Sequence, residues 1–176
     1  MTHEPASAVI VRTRLPAGLE RVRRRSATDA DYGIPAHLTL LYPFIEPEAL
    51  DGAVRRRIAT VAANHDPFEY RLLGAARWPQ VMYVAVAPVE PFVALQADLT
   101  RAFPDHPIYG EAADFAFVPH VTVAEGPAVD HPATTAEPAW AALPRPARAT
   151  ALEVIAADGG RWRLLWRLRL GRRGRR

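Results

Sequence analysis

Hydrophobic and polar residues alternate along several short stretches of the chain, a pattern typical of half-buried β-strands. In the first stretch Val9, Val11 and Thr13 fall on one predicted face. Turn-forming residues or helical patterns separate each stretch from the next. The pattern predicts strands over 7–15, 37–44, 68–74, 81–87 and 115–124, followed by a terminal hairpin within 149–170.

Three segments between these strands carry apolar residues at helical spacing instead. A short helix is predicted over 17–28. A second is predicted from Pro47, which suits a first helical turn, to Asn64, and a third from Pro91. Both longer helices follow a Glu-Pro pair after an apolar strand, which suggests an internal duplication. Residues 127–148 are rich in proline and alanine and show no period, so we expect an irregular connection there.

The terminal hairpin has the clearest alternation. Asp158, Gly159 and Gly160 predict the turn. Arginines alternate with large apolar residues in the strand that follows, which predicts an antiparallel strand with one buried face. The residues predicted on that face are Trp162, Leu164, Trp166, Leu168 and Leu170.

Two strands share a His-x-Thr pattern inside an apolar run, "HLTLLYPF" from 37 and "PHVTVAEG" from 119. Residues i and i+2 of a strand lie on the same face, about 7 Å apart along the chain. His37 therefore projects with Thr39, and His120 projects with Thr122. With 6 histidines in 176 residues, an apolar-flanked His-x-Thr is expected roughly 0.08 times by chance, so the pair is significant.

Two interpretations of the pattern differ in chemistry. Each histidine can be a half-buried strand residue whose ring nitrogens are hydrogen-bonded, and each threonine can be a β-branched strand former. Alternatively, two imidazoles and two hydroxyls converge on one phosphate. In-line attack at phosphorus needs one group to accept the nucleophile's proton and another to protonate the leaving oxygen, and histidine serves in either role near neutral pH. Because the pattern occurs twice, we favour His37 and His120 as catalytic residues and Thr39 and Thr122 as phosphate ligands.

Composition excludes several other chemistries. The chain has no cysteine, all 22 of its basic residues are arginine, and its two serines lie outside any Gly-x-Ser-x-Gly motif. A thiolate nucleophile, a Schiff-base lysine and a P-loop lysine are therefore absent. The other histidines lack metal-ligand spacing, so we expect neither a metal nor a cofactor. No apolar run reaches the roughly 18 residues of a membrane span, and we expect a cytoplasmic protein that does not bind membranes.

Arginines and aromatic residues supply further candidates. The clusters at 21–25 and 54–57 are expected on solvated helix faces, and 171–176 is expected to be a disordered basic tail, which together suit a net charge of +3. Tyr42, Trp78 and Phe117 are candidates for stacking on a nucleobase. Phe44 and Phe115, near the same strands, are expected in the core.

These motifs resemble those of the 2H phosphoesterase superfamily, which contains RNA 2′,3′-cyclic phosphodiesterases and proteins called 2′-5′ RNA ligases. The likeness extends over most of 7–170. It implies an α+β, bilobal and pseudo-symmetric fold, in which two antiparallel sheets line a central cleft with helices outside. It also implies metal-independent chemistry. Glu125 stands where ligase-like members often carry arginine, which disfavours long RNA as the substrate.

We therefore expect residues 1–170 to form one bilobal domain, monomeric, that hydrolyses a 2′,3′-cyclic phosphate or a 2′-5′ phosphodiester in nucleotides or short RNA ends. The sequence alone does not decide which histidine is the base. Three alternatives stay open at this point: a nucleotide- or RNA-binding module with little turnover, an RNA 2′-5′ ligase, and, less favoured, a metal-dependent esterase.

Overall fold

Eight strands in the described residues form two four-stranded antiparallel sheets. The computed structural model describes residues 6–108, 116–158 and 160–171. The order is β2-β1-β7-β8 in the first sheet and β5-β4-β3-β6 in the second. The strands are β1 (Ser7–Arg12), β2 (His37–Leu41), β3 (Phe68–Trp78), β4 (Val81–Ala87), β5 (His120–Glu125), β6 (Arg145–Ala149), β7 (Ala151–Asp158) and β8 (Arg161–Arg169).

Six helices connect or cover these strands in the described part of the chain, together with 3₁₀ turns at Pro47–Ala49 and Gly126–Asp130. The predicted helix from Pro47 begins later, at Gly52. Its start is fixed by Asp51, whose carboxylate accepts hydrogen bonds from the backbone N–H of Ala53 at 2.8 Å and of Val54 at 2.9 Å. The helices are α1 (Ala17–Ser26), α2 (Thr28–Asp31), α3 (Gly52–Ala63), α4 (Glu90–Ala102), α5 (Pro132–Thr135) and α6 (Glu137–Trp140).

The region predicted as an irregular connection is more ordered than its composition indicates. It contains α5, α6 and strand β6, which pairs with the outer side of β3. Its sequence, RPARA, lacks the alternation of a half-buried strand. Pro146 is accommodated because β6 lies at a sheet edge, where a missing N–H does not interrupt a ladder. The preceding strand prediction, 115–124, is also corrected: β5 begins at His120.

The prediction that one face of β8 is uniformly buried is wrong. Opposite β7, Trp166 pairs with Val154 but Leu164 pairs with Ile155, so the register shifts by one residue. A β-bulge of this kind moves every later side chain to the opposite face. Trp166 and Leu168 therefore pack on the main core, whereas Trp162 packs on the other face of the sheet and Leu164 is 48% exposed.

The main hydrophobic core combines side chains from both sheets with side chains from helices α1, α3 and α4. Leu38 of β2, Val121 of β5 and Leu19 of α1 are all fully buried in it. Each motif strand, β2 and β5, is the outer strand of its own sheet, and the two strands pack against each other. This arrangement confirms the predicted pseudo-symmetric α+β fold. None of the helices in the described residues has the length and apolar character needed to cross a membrane.

Candidate active site

The two His-x-Thr motifs occupy equivalent positions in the two sheets. Each histidine is the first residue of its strand, and the burial alternates in the same way, with histidine and threonine half-buried and the next residues buried. His37 is paired with Arg12 of β1, and His120 with Ala85 of β4. Because β2 and β5 pack together, both motifs face one cleft. The structure thus brings together the four residues singled out from the sequence.

A hydrogen bond to the main chain orients each imidazole. His37 Nδ1 lies 2.8 Å from the carbonyl oxygen of Pro35, and His120 Nδ1 lies 2.8 Å from that of Val118. A carbonyl oxygen can only accept, so Nδ1 carries the proton in both rings. Nε2 is therefore the atom that each neutral ring presents for proton transfer. In β2 the Thr39 hydroxyl donates to His37 Nε2 at 3.1 Å.

A buried ion pair lies beside His37. The guanidinium of Arg23, on α1, is 2.6 Å from Asp29 Oδ2 and also donates to the carbonyl oxygen of Ile34 at 3.0 Å. The same Asp29 oxygen is 3.8 Å from His37 Nδ1. Arg23 is only 1% exposed, so the prediction of a solvated arginine cluster over 21–25 is wrong at this position. The segment leading into β2 is thereby held by a charge pair.

Aromatic rings surround His120 instead. The ring of Trp78 is 4.8 Å from the imidazole at 83°, and that of Tyr83 is 5.2 Å away at 64°. Trp78 and Tyr83 also contact each other, with centroids 4.3 Å apart. Trp78 remains 37% exposed, so part of its ring is open to a ligand.

The other two aromatic candidates have different surroundings. Tyr42 is 39% exposed and its ring lies 6.1 Å from that of Trp162, on the first sheet. Phe117 packs against the main hydrophobic core. Phe44 is buried in that core, as expected, whereas Phe115 lies outside the described residues. Of the three candidates, only Trp78 contacts a motif histidine in the described structure.

Burial acts on the titration of both histidines. Burial, together with the charges of Arg23 and of His120, lowers the pKa of His37 to about 4. Burial also lowers the pKa of His120, but there the charge of Glu125 opposes it. Main-chain hydrogen bonds to Pro35 and Val118 raise the two pKa values without overcoming burial.

Glu125 links the two halves of the molecule. Its Oε2 accepts a hydrogen bond from the backbone N–H of Thr28, at the start of α2, at 2.9 Å. The carboxylate thus tethers the end of β5 to the segment that carries Asp29. Burial raises the pKa of Asp29, and the charge of Glu125 raises it further. Glu125 therefore has a structural partner in this chain.

Several cleft residues were missed because no local pattern marks them. Arg23 and Asp29 belong to a polar segment, and their pairing depends on how α1 packs. Tyr83 is marked by the sequence only as a strand residue, and the bulge in β8 places Trp162 on an unexpected face. Glu153 offers a usable signal, because it is the only charged residue in the apolar run ALEVIAA of β7.

The predicted basic tail lies almost entirely outside the described residues, since only residue 171 of 171–176 belongs to them. In the described part of the chain, no three histidine, aspartate or glutamate side chains cluster as a metal site.

Comparisons with known proteins agree with this geometry. Residues 11–161 match the model of the 2′-5′ RNA ligase superfamily. A Bacillus pumilus (strain SAFR-032) protein named "Putative phosphoesterase" is 34% identical over 102 residues, which cover 57% of this chain and 58% of that protein. The match therefore spans little more than half of the relative.

Solved structures show the same fold at low identity. A Thermus thermophilus protein, TT0787, superposes with a TM-score of 0.59 at 18% identity, covering 94% of this chain and 97% of that one. Escherichia coli LigT complexed with 3′-AMP gives 0.55 at 20% identity, covering 96% and 100%. The resemblance drawn from the motifs is confirmed, and the chain belongs to the 2′-5′ RNA ligase superfamily, with its 2H phosphoesterase fold.

Proposed function

We propose that the protein is a metal-independent phosphodiesterase that opens 2′,3′-cyclic phosphates or cleaves 2′-5′ phosphodiesters of nucleotides and short RNA ends. The observation that carries the proposal is the equivalent placement of two histidines, each with its Nδ1 proton fixed on a carbonyl oxygen and its Nε2 facing the same cleft. Superfamily membership supports the phosphodiesterase-type role. LigT structures with 3′-AMP and NADP⁺ support nucleotides as the ligand class.

His37 serves as the general base in this mechanism. Its lowered pKa keeps the ring neutral above about pH 4, so Nε2 can accept a proton. In the hydrolysis of a cyclic phosphate, His37 Nε2 takes a proton from water while the water oxygen forms a bond to phosphorus. Asp29, 3.8 Å from Nδ1, then stabilises the imidazolium that results.

His120 serves as the general acid. Burial lowers its pKa, but the charge of Glu125 opposes that effect, and the negative charge of a bound phosphate favours the protonated ring further. As the bond from phosphorus to one ribose oxygen breaks, His120 Nε2 gives that oxygen its proton. The product is a nucleoside monophosphate with a free neighbouring hydroxyl. The two histidines finish with their protonation states exchanged, and solvent restores them.

Thr39 and Thr122 are assigned to the phosphate. Both hydroxyls lie on the cleft face beside their histidine, as i+2 neighbours on a strand. In the unliganded site the Thr39 hydroxyl donates to His37 Nε2. With substrate bound, it would turn to a non-bridging oxygen, where charge develops in the transition state. This exchange frees Nε2 for the attacking water.

Direct observation of product tests the proposal. The protein is incubated with a mixture of the four nucleoside 2′,3′-cyclic monophosphates in excess EDTA, and ³¹P NMR follows conversion of the cyclic signals to monoester signals. We expect turnover that EDTA does not abolish. Loss of turnover in EDTA with recovery on adding Zn²⁺ or Mn²⁺ would overturn the metal-independent mechanism. Tight binding without any conversion would instead identify a nucleotide-binding module.

A further inference from the structure

A cavity of about 170 Å³ lies on the cleft face of the first sheet, outside the four motif residues. Strand register places it there: Ile10 pairs directly with Thr39 on one side and with Glu153 on the other, so these three side chains share a face. The principal lining residues are Arg12, Ile34, Glu153, Ile155, Trp162 and Leu164.

The cavity adjoins the environment of His37. Arg12, which lines it, is the strand partner of His37, and Pro35, whose carbonyl accepts the His37 Nδ1 proton, is also part of the wall. The cavity is therefore next to the place where the motifs would hold a phosphate, and we take it as a candidate site for another part of the same molecule. The inference in this way rests on the proposed function and specifies its substrate.

The size and walls of the cavity suit one planar six-membered ring, which is either a pyrimidine or the six-membered half of a purine. A closed cavity of about 150 Å³ holds benzene, whereas pockets for whole drug-sized ligands start at about 300 Å³. Trp162, Ile34 and Ile155 supply the apolar surfaces. Trp162 reaches this face only because of the bulge in β8, and its backbone N–H donates to the carbonyl oxygen of Tyr32 at 2.9 Å, which fixes that position.

The charged residues of the cavity indicate which kind of ring it can bind. Glu153 is 2% exposed, and its Oε1 is 3.7 Å from Arg167 Nη1, an ion pair too long for a hydrogen bond. An ionised carboxylate has about four lone-pair sites, so it retains capacity to accept N–H donors. Burial of such a group is costly unless hydrogen bonds compensate for it. Arg12 also lines the cavity, and a guanidinium carries N–H donors.

We propose that this cavity is a nucleobase subsite that selects guanine. The Watson–Crick edge of guanine has two adjacent donors, N1–H and N2–H, which match the two oxygens of Glu153. Its O6 and N7 acceptors are the atoms that arginine recognises in pairs, here Arg12. Uracil presents a single N–H between two carbonyl oxygens. A carboxylate repels those oxygens. Adenine and cytosine each present one amino group beside a ring acceptor, so they are intermediate.

The test compares kcat/KM for the four nucleoside 2′,3′-cyclic monophosphates, one at a time. We expect the wild-type protein to favour guanosine over uridine by about 10- to 100-fold, the effect of a hydrogen bond to a charged group. Glu153→Gln should remove most of that preference, because it lowers the guanosine value and relieves the repulsion of uracil. Glu69→Gln, the same change at an exposed carboxylate of β3, should leave all four values unchanged.

Trp162→Leu provides an independent variant. Because stacking is tolerant of sequence, it should lower kcat/KM for all four substrates by at least about fivefold while the guanosine preference persists. A wild-type protein without guanosine preference, or a preference that Glu153→Gln leaves intact, would overturn the subsite while the proposed function stands. Turnover of none of the four would overturn the cyclic-phosphodiesterase part of the proposed function.

Calorimetric titration keeps the subsite testable if a variant does not fold or turnover is absent. The wild-type protein is titrated with guanosine 3′-monophosphate and uridine 3′-monophosphate. Binding of the guanosine nucleotide at least about tenfold tighter supports the subsite. Equal affinities would overturn it.

Discussion

The two motif strands have the same main-chain geometry and different surroundings. Each histidine donates its Nδ1 proton to the carbonyl oxygen two residues earlier, at 2.8 Å in both cases. His37 lies beside the buried ion pair of Arg23 and Asp29, whereas His120 lies against Trp78 and Tyr83. The geometry is therefore duplicated while the electrostatics are not.

The site needs two imidazoles aimed at one phosphate, and it also needs different roles for the two rings. These two requirements are met by different features of the structure. A repeated strand motif is sufficient to aim two imidazoles at one phosphate. Unlike neighbours decide which ring is the base and which is the acid, because identical rings in identical surroundings would take the two roles equally often. In this protein, burial and Arg23 act on His37, while Glu125 opposes burial at His120.

The largest expected effect comes from removing either imidazole. His37→Ala and His120→Ala should each lower kcat for a cyclic mononucleotide by about 10²- to 10⁴-fold, the usual contribution of general acid-base catalysis. The double variant should be far less than multiplicatively worse, because the two rings act as a unit. Steady-state kinetics on the three variants provides the measurement.

A histidine outside the cleft serves as the matched control. His65 hydrogen-bonds to Asp98 at 2.7 Å, between α3 and α4. His65→Ala should keep kcat within about twofold of wild type. A single motif variant that folds correctly and keeps full activity would remove that histidine from the mechanism.

The next effect concerns stability and comes from removing the ion pair beside His37. Asp29→Ala leaves the guanidinium of Arg23 buried without its partner, and such a loss typically costs about 3–5 kcal/mol of unfolding free energy. Urea denaturation followed by circular dichroism measures it. Arg24 and Glu20 form an exposed pair on α1, so Glu20→Ala should cost less than about 1 kcal/mol. Equal costs for the two variants would contradict a structural role for the buried pair.

Removing the indole ring beside His120 should have a smaller effect. Trp78→Ala should raise KM for a 2′-5′-linked dinucleotide by about 5- to 100-fold if its second base, the one outside the Glu153 cavity, stacks on the exposed part of the ring. Phe117, which packs on the core, supplies the contrast: Phe117→Leu should leave KM nearly unchanged. Unchanged KM in the Trp78 variant would show that this ring only supports His120.

Local sequence patterns were sufficient to predict the features that repeat along the chain. Period-two alternation and the paired His-x-Thr motifs predicted both sheets' motif strands and the four central site residues. Local patterns failed where the outcome depends on a particular side-chain partner or on a bulge. The burial of Arg23 requires Asp29 six residues away, the late start of α3 requires the Asp51 cap, and the face of Trp162 depends on a bulge opposite β7.

The smallest expected effect concerns the basic C-terminus. Deleting residues 171–176 should leave kcat/KM for a cyclic mononucleotide within about twofold of wild type. The same comparison with a cyclic-phosphate-terminated 20-mer, at 50 and 200 mM salt, measures any contribution from phosphate contacts. A large advantage of the 20-mer that falls with salt and disappears with the tail would identify long RNA as the substrate.

The pH dependence of kcat/KM in the wild-type protein and the two single histidine variants tests the division of roles most directly. Falling pH protonates the base, so the wild-type acidic limb should reflect the His37 pKa of about 4. Rising pH deprotonates the acid, so the alkaline limb should lie below 6.5, because the pKa of His120 is lowered. We expect the residual activity of His37→Ala to lose the acidic limb and that of His120→Ala to lose the alkaline limb. Limbs lost in the opposite variants, or a wild-type rate that climbs steadily to pH 10, would contradict the account.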